Sequence, residues 1–127
     1  MDQFKNPPPY LLCIPTNYGT GSEVTPFAVI TDTQRRFKVT IGGEALFPNT
    51  AILDPNLSVR LPIPVAAATG MDALTHAIEA FVCLAGNPIT RSLAIQAVGL
   101  ISNNLRQAAL SNQNIEATGN MLIAATL

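Results

Sequence analysis

The prolines of this 127-residue chain are segregated between its two halves, and this segregation limits what the chain can fold into. Nine of the ten prolines fall in residues 1–66, whereas residues 67–127 contain only Pro88. Proline removes a backbone donor and breaks helix interiors, so the first half favours strands and turns and the second half favours helices. The order of strands followed by helices predicts two layers or two domains that meet near residue 66.

Short apolar runs between turn signals predict strands in the first half. The continuous run Tyr10–Ile14 is typical of a buried strand, and Phe37–Ile41 alternates apolar and polar residues with a period of two. Phe27–Thr31 and Ala51–Leu53 are two further candidates. We therefore expect four strands, with a loop rich in glycine and hydroxyl side chains at residues 16–22.

The apolar residues of the second half recur at helical spacing. They predict a first helix over residues 72–84, with Thr69 capping its N-terminus. Asn87 and Pro88 suit the N-cap and the first position of a second helix. A third helix is expected to begin near residues 112–114. The second half is therefore predicted to be all-helical.

Composition excludes several classes of partner. Charged residues make up 12% of the chain and its net charge is −1, whereas nucleic-acid binding requires clustered Lys and Arg. The only basic cluster, Arg35-Arg36 with Lys38, is too small for such a partner. No run approaches the roughly 18 apolar residues that span a membrane, and residues 1–6 do not resemble a signal peptide. We expect a cytoplasmic protein without nucleic-acid or membrane partners.

Asp72 and His76 are four residues apart, which places both side chains on one face of the predicted helix. A carboxylate and an imidazole at this spacing can bind one divalent metal ion. An ordinary polar pair remains open, but the apolar neighbours favour function because burying an unpaired polar group costs free energy. Glu79 is either a partner of His76 or a surface acid. The single histidine excludes a metal site built from histidines alone.

The loop after the first predicted strand combines Gly19 and Gly21 with the hydroxyls of Thr16, Thr20 and Ser22. Glycines let a backbone approach a ligand closely, and successive N–H groups can form a concavity that binds anions. Taken alone, the pattern is more typical of an ordinary turn. It is not a P-loop, because no Gly-Lys-Ser/Thr follows, and it lacks the second glycine of a serine-hydrolase elbow.

Taken together, these segments closely resemble the iron-dependent (group III) alcohol dehydrogenases. The resemblance rests on Ile14–Thr25, Leu53–Pro55 and the unbroken run Ala67–Ala80, which stand in the family's order. It extends from about Pro7 to Leu127 but covers only the middle of the family's pattern. Asn17-Tyr18 departs from it, since many members have Thr-Ala there. The chain is interpreted as an incomplete piece of a dehydrogenase.

The resemblance implies a fold and a set of site residues. It implies the end of a Rossmann-like dinucleotide-binding α/β domain (1–66) and the start of an all-helical metal-binding domain (67–127), in a dehydroquinate synthase-like architecture. It implies a cofactor, NAD or NADP, and a metal, Fe²⁺ or alternatively Zn²⁺. The cofactor-binding positions are Thr16, Thr20, Ser22, Val29 and Lys38, with Ser22 the weaker candidate, and the metal ligands are Asp72 and His76, the first two of four.

The activity implied is metal-assisted hydride transfer between a small alcohol or aldehyde and the nicotinamide, an oxidoreductase reaction of class EC 1.1.1 in a homo-oligomer. Two alternatives stand beside it: a metal-independent relative such as a maleylacetate reductase, and a truncated non-catalytic chain that folds or assembles with a partner. Because two metal ligands and the dinucleotide loop are absent from this sequence, we expect little or no turnover from the isolated 127 residues.

Overall fold

The computed structural model describes residues 8–111 and 113–127, which contain four short β-strands followed by three α-helices. These elements fall into two compact units: residues 8–13 with 22–52 hold the strands, and residues 14–21 with 53–111 and 113–127 hold the helices. Strands followed by an all-α part confirm the predicted fold class. The elements are β1 (Leu12–Cys13), β2 (Phe27–Asp32), β3 (Phe37–Gly42), β4 (Thr50–Ala51), α1 (Ile63–Val82), α2 (Pro88–Leu110) and α3 (Ile115–Thr126).

The strand unit contains one parallel and one antiparallel pair. Strand β1 pairs in parallel with β4, and β2 forms an antiparallel hairpin with β3. The carboxylate of Asp32 orders the hairpin turn, because its Oδ1 accepts hydrogen bonds from the backbone N–H groups of Gln34 and Arg35, at 3.0 Å each. This is the usual way in which an Asp side chain stabilises a tight turn.

The predicted buried strand Tyr10–Ile14 is wrong in its length and in its burial. Only Leu12 and Cys13 form strand β1, and Leu12 is 45% exposed. In the described residues β1 is paired with β4 alone, and no α-helix belongs to its unit. The apolar run therefore has no covering layer within that unit, which leaves Tyr10 71% exposed.

Helix α1 begins nine residues before the predicted start at residue 72, so Thr69 does not cap its N-terminus. Thr69 lies inside the helix, where its hydroxyl donates to the carbonyl of Val65 at 3.0 Å. The helix instead follows Pro62 and has Pro64 in its first turn, where a missing backbone N–H costs nothing. The predicted boundary between residues 66 and 67 falls inside α1, and the division into those two domains stays a prediction.

The other two helices begin where local capping signals predict. Asn87 accepts from the backbone N–H groups of Ile89 and Thr90, which makes Asn87 the N-cap of α2. Asn114 caps α3 by accepting from Ala117 N at 2.9 Å; the first residue of that predicted start, 112, lies outside the described residues. None of the helices in the described ranges is both long and apolar enough to cross a membrane.

Small side chains allow the three helices to pack closely. The buried face of α1 consists of Ala66, Gly70, Ala73 and Ala77. A Cβ atom at Gly70 would lie only 2.1 Å from Leu105 Cδ1 of α2, so a larger residue there requires the Leu105 side chain to shift. Asp72 and His76 lie outside this buried face.

Candidate metal and cofactor site

Helix α1 carries Asp72 and His76 one turn apart on the same face. Asp72 Oδ1 lies 3.8 Å from His76 Nε2, and the two side chains are 45% and 50% exposed, respectively. Two ligand atoms of one tetrahedral ion lie about 3.4 Å apart when each metal bond is about 2.1 Å long. A small rotation of either side chain reaches that separation, so the two groups fit a shared divalent ion.

The pair is not buried, contrary to the expectation from its apolar sequence neighbours. Its candidacy therefore rests on the geometry of the two groups and not on a cost of burial. Within residues 8–111 and 113–127, no group of three or more His, Cys, Asp or Glu side chains could hold a metal ion. Glu79 is exposed on the same helix, and both interpretations of it stand. The ligand roles of Asp72 and His76 stay predictions.

The loop Ile14–Gly21 belongs to the same unit as α1 and approaches it at Gly19. A Cβ atom at Gly19 would lie 3.2 Å from Asp72 Oδ2 and 3.3 Å from Thr69 Cβ. Both separations are shorter than ordinary van der Waals contact, so glycine is the residue that permits this approach. Asp72 therefore has Oδ1 near His76 and Oδ2 near the loop, which brings the two sequence motifs together at one carboxylate.

Gly21 sets the conformation of the other end of this loop. Its φ of 60° lies in the left-handed region, which glycine adopts without the steric cost that other residues incur. Thr16 and Thr20 are exposed in the loop, whereas Gly19 and Gly21 are buried. The structure thus places two of the five predicted cofactor residues in the unit that holds Asp72 and His76. Their contacts with a cofactor stay predictions.

The remaining predicted cofactor residues belong to the strand unit. Ser22 opens the 3₁₀ turn Ser22–Val24 that follows the loop. In the hairpin, Val29 pairs with Thr40, and Lys38 is two residues before Thr40. Val29 and Lys38 therefore lie on the same face of the hairpin as diagonal neighbours. The Cα atoms of such neighbours are usually about 7–8 Å apart, so one ligand can contact both side chains. Their position near a nicotinamide ribose stays a prediction.

Tyr18 is the residue of the loop whose environment the sequence did not indicate. It is 1% exposed and belongs to the same buried cluster as Ala66 and Ala73 of α1. Burial raises the pKa of its phenol, so the hydroxyl is neutral, and that hydroxyl has no hydrogen-bond partner among the described residues. An unpaired buried hydroxyl costs about 1–3 kcal/mol. The one signal for Tyr18 in the sequence was its departure from the pattern of the resembled family.

Comparison with known proteins identifies the family of this chain. A sequence model described as iron-containing alcohol dehydrogenase matches residues 1–55, and a model of the C-terminal part of the Fe-containing alcohol dehydrogenase family matches residues 66–127. The first match contains the loop, and the second contains Asp72 and His76. The chain belongs to the iron-containing alcohol dehydrogenase family. The resemblance recognised from the sequence is thereby confirmed.

Individual members of the iron-containing alcohol dehydrogenase family resemble the chain over most of its length. A 1,3-propanediol dehydrogenase of Citrobacter freundii is 43% identical over 127 residues, which are all of this chain and 33% of that protein. An NAD-dependent methanol dehydrogenase of Bacillus methanolicus is 46% identical over 114 residues, or 90% of this chain and 30% of that protein. The chain spans about a third of the length of these curated relatives.

The chain also shares its fold with a related protein of known structure. The crystal structure of a 1,3-propanediol oxidoreductase superposes with a TM-score of 0.91 at 42% identity, covering 95% of this chain and 32% of that one. A TM-score at this level means that the chain has the fold of the corresponding part of that family member. The predicted combination of α/β and all-α elements is confirmed by this likeness as well.

Proposed function

We propose that the protein bearing this chain is an NAD(P)-dependent, metal-dependent alcohol dehydrogenase. The observation that carries the proposal is the approach of Gly19 to Asp72, with 3.2 Å between the Cβ position of Gly19 and Asp72 Oδ2. A cofactor loop and a metal pair need to meet if hydride is to pass between an alcohol held at the metal and a nicotinamide held by the loop. The names of relatives such as the NAD-dependent methanol dehydrogenase support the same activity.

Asp72 and His76 would hold the metal, and a divalent ion there supplies Lewis-acid chemistry that favours loss of the hydroxyl proton of an alcohol. The chain's own part in this is positional. Packing of α1 fixes where the carboxylate and imidazole stand, and ligation requires His76 with an unprotonated Nε2. The hydroxyls of Thr16 and Thr20 would donate to the cofactor and orient its ring, while the cofactor itself supplies the hydride chemistry.

The finer properties of the whole protein are part of the same proposal. Its substrate is a small alcohol or the corresponding aldehyde, its cofactor is NAD or NADP, and its metal is Fe²⁺ or alternatively Zn²⁺. It acts as a homo-oligomer in the cytoplasm, without nucleic-acid or membrane partners. The family membership supports the substrate class and the metal, and the low charge of the chain supports the absence of a nucleic-acid partner.

One assay separates this activity from its alternatives. The complete gene product is incubated with NAD⁺, Fe²⁺ or Zn²⁺ and ethanol, 1,3-propanediol or butanol under reducing conditions, and NADH is followed by its absorbance. We expect turnover that a chelator abolishes and that metal restores. Turnover that persists after chelation would favour a metal-independent relative such as a maleylacetate reductase. The isolated 127 residues should show little or no turnover, and no turnover from the complete product would favour a non-catalytic chain.

Replacing Thr20 with valine should weaken cofactor binding without changing metal binding. The variant keeps the shape of the side chain but removes one hydrogen bond to the cofactor, worth about 0.5–1.5 kcal/mol, or roughly three- to tenfold in the NAD(H) dissociation constant. Titration by nicotinamide fluorescence measures it. The control is Thr33→Val in the hairpin turn, which should leave the constant unchanged. Equal affinity in the Thr20→Val and wild-type proteins would contradict the role of Thr20.

A further inference from the structure

The side chains of the loop Ile14–Gly21 differ sharply in burial, and only one large side chain is fully buried. Thr16, Asn17 and Thr20 are exposed, and Ile14 is 45% exposed. Tyr18 alone combines size with burial, at 1% exposure. A loop that has one aromatic side chain in a protein core is held by that side chain, because aromatic residues bury more apolar area than other residues.

The surroundings of Tyr18 belong to the helical unit. The buried cluster that contains Tyr18 also contains Ala66, Ala73 and Ala77, all on the buried face of α1. The residue after Tyr18 lies directly against α1, because the Cβ position of Gly19 is 3.3 Å from Thr69 Cβ. The loop segment consequently belongs with the helices, although the sequence on both sides of it belongs with the strands.

The consequence of this burial appears at the next residue. Gly19 is bonded directly to Tyr18, and it is Gly19 that lies against Thr69 and Asp72. The left-handed Gly21 then restrains the other side of Thr20. Thr20 therefore lies between the buried Tyr18 and the left-handed Gly21, and next to Gly19, which is in contact with the predicted metal ligand Asp72.

We propose that Tyr18 is a positioning residue whose buried ring anchors the cofactor loop to the metal-binding helix and so couples cofactor binding to metal binding. The coupling follows because both ligands order the same contact, the one between Gly19 and Asp72. A ligand that orders this contact lowers the entropic cost for the second ligand. This inference rests on the proposed function, since it concerns the cofactor and metal of that site.

The orphaned hydroxyl of Tyr18 provides a way to separate its ring from its polar atom. The hydroxyl is buried and has no hydrogen-bond partner among the described residues, so removing it should leave the anchor intact. Tyr18→Phe keeps the ring, Tyr18→Leu keeps part of the apolar volume, and Tyr18→Ala removes the anchor. Tyr10, which is 71% exposed, offers Tyr10→Ala as a matched loss of a tyrosine without loss of the anchor.

The first measurement is hydrogen–deuterium exchange of peptides covering residues 16–21 in the complete gene product without ligands. We expect exchange in Tyr18→Phe and Tyr10→Ala to match the wild type, with at least tenfold faster exchange in Tyr18→Ala and an intermediate rate in Tyr18→Leu. If Tyr18→Ala does not fold, Tyr18→Leu decides. Wild-type exchange in a folded Tyr18→Ala or Tyr18→Leu variant would overturn the anchor, and faster exchange in Tyr18→Phe would assign the anchoring to the hydroxyl instead.

The second measurement is the NAD⁺ dissociation constant with and without Zn²⁺, which a purely structural role would leave unaffected in its ratio. We expect Zn²⁺ to strengthen NAD⁺ binding severalfold in the wild type and in Tyr18→Phe, and by less than twofold in Tyr18→Ala or Tyr18→Leu. An equal ratio in all variants overturns the coupling. If the wild type binds no NAD⁺ at all, the proposed function fails, whereas the exchange of residues 16–21 still decides whether Tyr18 is the anchor.

Discussion

In the His76→Ala variant of the complete gene product, bound metal should fall to background and metal-dependent turnover should fall at least about a hundredfold, because even the partners of a metal ligand contribute 10–100-fold to affinity. The geometric reason is the pairing of His76 Nε2 with Asp72 Oδ1 at 3.8 Å. Removing the imidazole takes away one of the four ligands that the family resemblance implies and leaves Asp72, which is half-exposed, without its neighbouring ligand on α1. Elemental analysis of the purified protein and a Zn²⁺ titration measure the loss.

Two further variants on α1 provide a control for this experiment and a test of the role of Glu79. Thr75→Ala removes an exposed hydroxyl that donates to the carbonyl of Met71 within the same helix, so its metal content should equal that of the wild type. Glu79→Gln decides between the two interpretations of Glu79: a loss of about tenfold or more in affinity indicates a partner of His76, and no loss indicates a surface acid. Unchanged metal content in His76→Ala would refute its ligand role.

Substituting alanine for glycine should have opposite effects at two helical positions. In Gly70→Ala the added Cβ lies 2.1 Å from Leu105 Cδ1 and 3.3 Å from Met121 Cε, and overpacking of this kind costs about 1–3 kcal/mol. In Gly99→Ala the added Cβ meets nothing within 4 Å. That variant should gain up to about 1 kcal/mol, since alanine is the better helix former.

Comparing Gly70→Ala with Gly99→Ala is informative because both substitutions make the same chemical change within a helix. Helix propensity favours both, so the difference in the free energy of unfolding between them reports the clash alone. Denaturant unfolding of the two variants and the wild type gives that difference from the transition midpoints. Equal stability of the two variants would show that Leu105 moves aside without cost, and that close approach of α1 and α2 does not depend on Gly70.

Local signals in the sequence predicted the elements whose determinants are themselves local. The N-cap of α2 is such a case, because Asn87 bonds to residues two and three positions on. The predicted N-terminus of α1 is wrong because the sequence contains two competing signals for a helix start. Thr69 followed by Asp72 is typical of a cap, but the prolines at 62 and 64 also suit a first turn. The apolar run from residue 63 onward continued the helix through Thr69.

The residues of the candidate site also fall into those predictable from local spacing and those that depend on distant contacts. Spacing along a helix is a local property, and it predicted that Asp72 and His76 share a face. The approach of Gly19 to Asp72 joins residues more than fifty positions apart, and no pattern in either segment states that they meet. Apart from its departure from the family pattern, nothing in the sequence indicated the burial of Tyr18, since an aromatic residue in a glycine-rich loop is equally compatible with exposure and with burial.

By itself, the sequence determined the order of strands and helices, the family, and the placement of Asp72 and His76 on one helix face, because each depends on residue type and on spacing along the chain. Only the tertiary structure decided that the loop Ile14–Gly21 belongs with the helices, that Gly19 lies against Asp72, and that Tyr18 is buried. These three features depend on contacts between residues far apart in the sequence, and such contacts form where small residues permit a close approach. Here the small residue is Gly19, whose Cβ position lies 3.2 Å from Asp72 Oδ2.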